Sequence, residues 1–106
     1  MNNKQLLLLG LCRRAGRLSM GHDACLESIK DGQAKLCLLT ADSSDRLKNE
    51  FAREIDFYKK DIPLICSSFS FDDIKKATGR PAGVLTINDE GFAGSFLKLE
   101  ENQNGR

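Results

Sequence analysis

The stretch Arg13–Asp42, RRAGRLSMGHDACLESIKDGQAKLCLLTAD, decides the fold and carries most of the candidate functional residues. It predicts a short strand over Arg17–Met20, a helix that opens at Gly21 and runs to about residue 30, and a strand over Lys35–Thr40. The run KLCLLT lacks the alternation of a half-exposed strand and is typical of a strand covered on both faces. The stretch therefore predicts a central strand with an amphipathic helix packed on it.

Helices and apolar strands alternate along the rest of the chain. Asp42 or Ser43 is expected to cap the third helix, and Ser70 the fourth. The predicted helices cover Asn3–Ala15, Ser44–Tyr58, Phe71–Thr78 and a last segment from Asp89 through Leu97, and the further buried strands cover Ile62–Ser67 and Gly83–Ile87. This order predicts an α/β fold, a three-layer α/β/α sandwich with a mixed sheet of about four strands. Residues 1–99 are expected to form one domain, and the polar tail 100–106 (EENQNGR) is expected to be disordered.

Composition limits the class of protein. The chain has 106 residues and 41% hydrophobic content, which suffices for a single core. Its 16 basic and 15 acidic residues give a net charge of +1, so only a local concentration of charge can favour RNA. Such a concentration exists, because six of the first 35 residues are basic and three are acidic.

The same composition indicates a cytoplasmic protein. The longest apolar run, Leu6–Leu9, is far shorter than the ~20 residues of a membrane span, and a signal peptide is not expected. The four cysteines are widely spaced and fall at apolar positions, so buried thiols in a reducing compartment are predicted.

No enzymatic constellation is found in the sequence. Neither glycine-rich phosphate-binding motif is present, and there is no G-x-S-x-G nucleophile motif. His22 is the only histidine, so neither a metal site nor acid–base catalysis is predicted, and it is expected to be exposed on the first turn of its helix. A non-catalytic protein without cofactor, small-molecule substrate or membrane contact is therefore expected.

The basic residues offer a binding surface instead. Arg13, Arg14, Arg17, Lys30 and Lys35 are expected to cluster around the helix that opens at residue 21. Arg13 and Arg14 have an equally good structural role in the last turn of the first helix, where cations complement the helix dipole. For each of the others taken singly, solvated surface is the alternative.

Several motifs resemble one known family in combination. In Arg14–Asp42 these are the glycine before the second helix, the D-G-x-A-K-L turn and the T-A-D that ends the strand. Ile62–Cys66 resembles that family's V-P-x-x strand, Ile74–Val84 its helix, glycine and loop, and Thr86–Phe92 (TINDEGF) its T-D-E-G-F-A segment. Over about residues 4–97 the chain resembles the kink-turn-RNA-binding ribosomal protein family, and most closely its bacterial YlxQ-type branch.

The resemblance implies an α/β/α sandwich that places the N-terminus of its second helix in an RNA kink-turn. It implies ribosomal or other kink-turn RNA as partner, with the ribosome as a candidate assembly. A helix N-terminus offers N–H groups and positive potential to RNA, and a sharp bend exposes base edges. The residues expected to bind RNA are Arg13, Arg14, Arg17, Gly21, His22, Asp23, Glu27, Lys30, Lys35, Arg80, Pro81 and Ala82.

The chain departs from the family's G-x-N-E-x-x-K signature after its glycine. Asp23 stands at the Asn position, where it can accept but not donate hydrogen bonds. Ala24 and Glu27 stand at the Glu and Lys positions, so a base contact is lost and a cation becomes an anion. In the late loop, Arg80 is expected to contact phosphate, and Pro81 and Ala82 to offer apolar contact. The alternative is a protein-interaction module on the same scaffold, in which the acidic face of residues 23 and 27 meets a basic partner.

Overall fold

Five helices and four strands alternate in the computed structural model, which describes residues 3–58 and 61–104. In chain order they are α1 (Asn3–Arg14), β1 (Leu18–Met20), α2 (His22–Lys30), β2 (Leu36–Leu39), α3 (Asp45–Tyr58), β3 (Leu64–Cys66), α4 (Phe71–Thr78), β4 (Val84–Ile87) and α5 (Glu90–Asn104). Within these residues no helix combines the length and apolar character needed to cross a membrane.

The four strands form one mixed sheet in the order β1-β4-β2-β3. Strand β4 runs antiparallel to both β1 and β2, whereas β2 and β3 are parallel. All residues of β2 and β4 are buried, because each has a neighbouring strand on both sides and helices above and below. The prediction of a central strand within Lys35–Thr40 is confirmed, as is the mixed sheet of four strands.

The helices cover both faces of the sheet. Successive side chains of β2 point to opposite faces, so Leu36 and Leu38 belong to one apolar cluster and Cys37 and Leu39 to another. The first cluster contains buried residues of α1, α4 and α5: Leu9, Cys12, Ile74, Ala93 and Phe96. The second contains buried residues of α2 and α3: Cys25, Ile29, Phe51 and Ile55. This confirms the predicted α/β/α sandwich.

Strand β3 differs from its prediction as a buried strand. It lies at the edge of the sheet, where Leu64 and Ile65 are half-buried and Cys66 is exposed. The prediction of four buried thiols is therefore wrong for Cys66, because an edge strand has no neighbour on its outer side. The remaining three thiols are buried, and burial raises the pKa of Cys12 to about 11 and of Cys25 to about 12.

One helix cap also differs. Ser44, rather than Asp42 or Ser43, accepts a hydrogen bond from the Leu47 N–H at 3.1 Å and caps α3. The Asp42 carboxylate instead accepts from the Phe71 N–H at 3.1 and 3.2 Å, at the start of α4. That bond holds the pKa of Asp42 below its usual value. Ser70 caps α4 as predicted.

The expectation of disorder from Glu100 onward is wrong for residues 100–104, which extend α5. The buried Gln5 amide of α1 donates a hydrogen bond to Glu100 Oε1 at 2.8 Å and to the Phe96 carbonyl at 3.4 Å. Glutamate and glutamine also favour helices intrinsically, so a polar segment tied to α1 remains helical. Residues 105 and 106 lie outside the described part of the chain.

Candidate RNA interface

The start of α2 lies beside the loop Gly79–Gly83. Gly21 precedes the helix with φ 94° and ψ 166°, a backbone conformation that residues with a Cβ rarely adopt. It has no side chain to cap the first turn, whose N–H groups are therefore not covered by a capping oxygen. The Gly21 N–H donates to the Val84 carbonyl at 3.0 Å, and Val84 directly follows the loop. The structure thus joins the two segments that the resemblance assigned to RNA.

The loop presents one apolar side chain and one cation. Pro81 and Arg80 are exposed. Ala82 is only 7% exposed and packs in the core, so its expected role as a surface apolar contact is wrong. The loop begins at Gly79, which ends α4 at φ 88° and donates its N–H to the Lys75 carbonyl at 2.7 Å.

The two arginines of α1 have different surroundings. The Arg13 guanidinium donates a hydrogen bond to the Thr78 carbonyl and so places a cation at the C-terminal end of α4, where the loop begins. Arg14 lies beside Lys76 and Ala77 of α4 in a groove between the two helices. Arg13 therefore flanks the candidate interface, whereas Arg14 faces α4.

Arg17 and Lys35 lie at the opposite end of the sheet from Gly21. The Lys35 N–H donates to the Ile87 carbonyl at 2.8 Å, and the first residue of β1, next to Arg17, pairs with Ile87. Gly21 donates instead to Val84, which lies three residues before Ile87 in β4. Three residues span about 10 Å along a strand. The predicted cluster of cations around α2 therefore does not place Arg17 or Lys35 beside its first turn.

Lys30 is also distant from the start of α2, because it is the last residue of that helix. Its ammonium lies 5.9 Å from the centre of the Tyr58 ring on α3, within range of a cation–π contact. Among the predicted basic residues, Arg13 and Arg80 are therefore the ones that the structure places at the loop.

His22 connects the first turn of α2 to α3. Its Nε2 lies 2.7 Å from Glu50 Oε2 and its Nδ1 lies 3.0 Å from Asp23 Oδ1. The ring also packs edge-on against Phe51, with centroids 5.5 Å apart. The two carboxylates, Glu50 foremost, raise the pKa of His22, because a protonated ring can donate to both. Sequence reasoning missed Glu50, since nothing in the local pattern links it to a histidine 28 residues away.

The outer surface of the first turns of α2 is acidic. The Asp23 side chain is fully exposed, and Ala24 and Glu27 are exposed as well. Carboxylates there can accept hydrogen bonds from base amino groups, but they repel phosphate. The positive end of the helix dipole and the protonated form of His22 oppose this repulsion.

A partly buried polar network fixes α2 on the sheet. The Ser19 and Ser28 hydroxyls lie 2.6 Å apart, Asn88 Nδ2 donates to Ser19 Oγ at 2.9 Å, and Thr86 Oγ1 donates to Asn88 Oδ1 at 3.0 Å. These bonds connect β1, α2 and the end of β4. The helix that carries the candidate interface is thereby held in a defined orientation, which favours a preformed docking surface.

Comparisons with known proteins agree with this architecture. The model of the ribosomal protein L7Ae/L30e/S12e/Gadd45 family matches residues 4–96. The chain is 31% identical over 98 residues to the RNA-binding protein YlxQ of Enterococcus faecium, covering 92% of each protein. It is 30% identical over 97 residues to the RNA-binding protein YlxQ of Bacillus subtilis (strain 168), covering 87% of this chain and 90% of that protein.

Two solved structures show the same fold. A protein with unknown function from Bacillus halodurans C superposes with a TM-score of 0.82 at 26% identity, covering 92% of this chain and 97% of that one. The Giardia lamblia 15.5kD RNA binding protein superposes with a TM-score of 0.71 at 16% identity, covering 92% and 86%. At that identity the second likeness concerns the fold alone.

Proposed function

Because this chain belongs to the ribosomal protein L7Ae/L30e/S12e/Gadd45 family, we propose that it is a non-catalytic RNA-binding protein. Structured RNA of the kink-turn type docks on the start of α2 and on the loop Gly79–Gly83. The observation that carries this proposal is the 3.0 Å hydrogen bond from Gly21 to Val84, which makes the two segments one continuous surface. The names of the two YlxQ relatives support RNA as the ligand. Ribosomal RNA, and through it the ribosome, is one candidate source of such a structure.

Each part of this surface has a distinct role. The uncapped first turn of α2 offers N–H groups and positive potential to a phosphate or a base edge. Asp23 accepts from base amino groups. Exposed Pro81 packs on an unstacked base, while Arg80 and Arg13 attract the backbone.

This surface should distinguish a kink-turn from other RNA less well than a surface with the family's full G-x-N-E-x-x-K signature. Ala24 has no hydrogen-bonding side chain, and Glu27 places an anion one turn after Asp23 on the exposed face of α2. The helix therefore contributes backbone N–H groups and one acceptor in place of a full set of base contacts. Affinity depends correspondingly more on the loop and on the cations beside it.

A salt titration with a matched pair of variants tests the location. Arg80→Ala should lower the slope of log affinity against log salt by roughly one unit, because one phosphate contact is lost. Lys35→Ala removes the same charge at the opposite end of the sheet and should leave the slope unchanged. The reverse result would place the RNA at that opposite end and contradict the proposal.

A second candidate function follows from the acidic surface itself. Asp23, Glu27 and Glu50 lie at or near the first turns of α2, where they would suit a basic segment of a partner protein. Glu27→Lys distinguishes the two functions, because it should strengthen binding of a kink-turn RNA and weaken binding of a lysine-rich peptide. Tight binding of the peptide by the unmodified protein, without any RNA binding, would favour this second function.

A further inference from the structure

An open groove runs between α1 and α4, on the face of the sheet opposite α2. The two helices approach closely at Gly10, where a Cβ atom would lie 2.7 Å from the Ala77 carbonyl oxygen. Beside this contact lies a cavity of about 540 Å³. Its apolar lining comes largely from Leu6, Leu7, Leu11 and Ala77.

The outer face of α1 supplies an exposed apolar stripe. Leu7 and Leu11 are 66% and 46% exposed, whereas Leu9 is completely buried in the core. The two exposed leucines are four residues apart and so lie one turn apart on the same side of the helix. Helix α1 is thus apolar on two sides, although the sheet requires only one of them. An exposed leucine pair that lines a groove is typical of a docking surface.

The end of the groove where both helices terminate is positively charged. Arg14 lines the groove, and a second cavity that also includes Gly10 and Ala77 is lined by Arg13 and Arg14. Lys76 also lines the groove and pairs with Asp72 at 3.1 Å, and the one carboxylate in the lining, that of Asp73, accepts the Ser70 N–H in the cap of α4. The cationic end of the groove therefore complements an acidic ligand.

We propose that this groove binds an amphipathic helix of a partner protein. Apolar side chains of that helix, spaced three and four residues apart, pack on Leu7 and Leu11, and its acidic residues meet Arg14. A second copy of this chain that presents its own α1 fits less well, because that helix has no acidic side chain to meet Arg14. The groove belongs to the α1/α4 layer, on the face of the sheet opposite α2, and Arg13 adjoins both the groove and the loop Gly79–Gly83.

Three synthetic helical peptides test the chemistry of the partner. The first has leucines at i, i+4 and i+7 flanked by glutamates, the second has lysines in place of the glutamates, and the third has serines in place of the leucines. Fluorescence anisotropy should show binding of the first, binding about tenfold weaker for the second, and none for the third, since both burial and charge contribute. Amide shifts on binding the first peptide should map to α1 and α4.

Variants of the protein locate the contact. The double variant Leu7→Ser/Leu11→Ser should lose at least about tenfold in affinity for the acidic peptide, while Phe57→Ser, which removes an exposed apolar residue on α3, should not change it. Arg14→Glu should make the protein prefer the lysine peptide. Equal binding of the acidic and basic peptides, absence of binding of the acidic peptide, or unchanged binding by the double leucine variant would each overturn the proposal. So would a concentration-dependent dimer that the leucine variant abolishes.

Discussion

The double substitution Ala24→Glu/Glu27→Lys should increase the affinity of the protein for kink-turn RNA. Both positions are exposed on the first turns of α2, so neither change disturbs the core. Alanine, glutamate and lysine differ little in helix propensity, and the helix should persist. The variant restores a carboxylate that can accept hydrogen bonds from a base edge, and it replaces an anion by a cation on the same face.

The expected gain is about 1–3 kcal/mol. One good base-reading contact contributes about 1–3 kcal/mol. Reversal of the charge at Glu27 changes the interaction with a phosphate some 8 Å away by about 1 kcal/mol in water, and the new carboxylate at position 24 offsets about half of that. Salt screening reduces both electrostatic contributions, so the base contact dominates. The dissociation constant should therefore fall by roughly fivefold to 150-fold.

Gel-shift or anisotropy titrations at fixed salt measure this change. The matched control is Ala52→Glu/Asp56→Lys, which makes the same alteration of charge at exposed positions of α3. The control should leave the affinity unchanged within about twofold, since it lies on another helix. An equal gain in the control, or no gain in the α2 variant, would show that α2 is not the docking surface.

Two further predictions concern stability and protonation. Gly10→Ala should lower the free energy of unfolding by about 1–3 kcal/mol relative to Gly94→Ala. Both substitutions increase helix propensity, but only the first drives a methyl group against the Ala77 carbonyl. Equal urea midpoints for the two variants would contradict the close contact of α1 and α4. The pKa of the His22 ring should lie above its ordinary value of 6.5, and Glu50→Gln should lower it. Because the folded-state pKa is raised, the stabilisation by His22 is complete below the unfolded-state pKa and is lost as pH rises through the folded-state pKa. An NMR titration of the ring that Glu50→Gln leaves unchanged would contradict this.

Features that depend on local pattern could be predicted from the sequence. Residues Leu36–Leu39 of the apolar run are buried on both faces of the sheet, as their lack of polar alternation predicts. The capping role of Ser70 also depends on neighbouring residues alone, because its side chain accepts from the Asp73 N–H three residues later. The alternation of such segments was sufficient to predict the layered architecture.

Features that depend on distant partners could not be predicted in this way. Asp42 is a suitable cap for α3, but its carboxylate binds the Phe71 N–H, 29 residues further along the chain. The helical state of residues 100–104 likewise involves Gln5, which is 95 residues from Glu100. Such pairings follow from how the layers pack, and no short window of sequence contains them.

The positions of the cations around α2 also could not be predicted from the sequence alone. Arg17 is only four residues from Gly21 in the sequence, but an extended strand advances about 3.3 Å per residue and separates them along the sheet. Arg80 is much further along the chain, yet its loop ends beside Gly21. Closeness in the sequence therefore did not predict which cations lie beside the start of α2.

The most direct test of RNA docking at α2 and the loop compares two RNAs. One is a kink-turn RNA, and the other is the same RNA with its sheared G·A pairs mutated so that the helix is straight. At fixed moderate salt, the unmodified protein should bind the kinked RNA measurably more tightly, and Arg80→Ala should weaken that binding. Equal and weak affinity for both RNAs, with a steep dependence on salt, would mean that only backbone attraction operates and would contradict docking on a kink-turn.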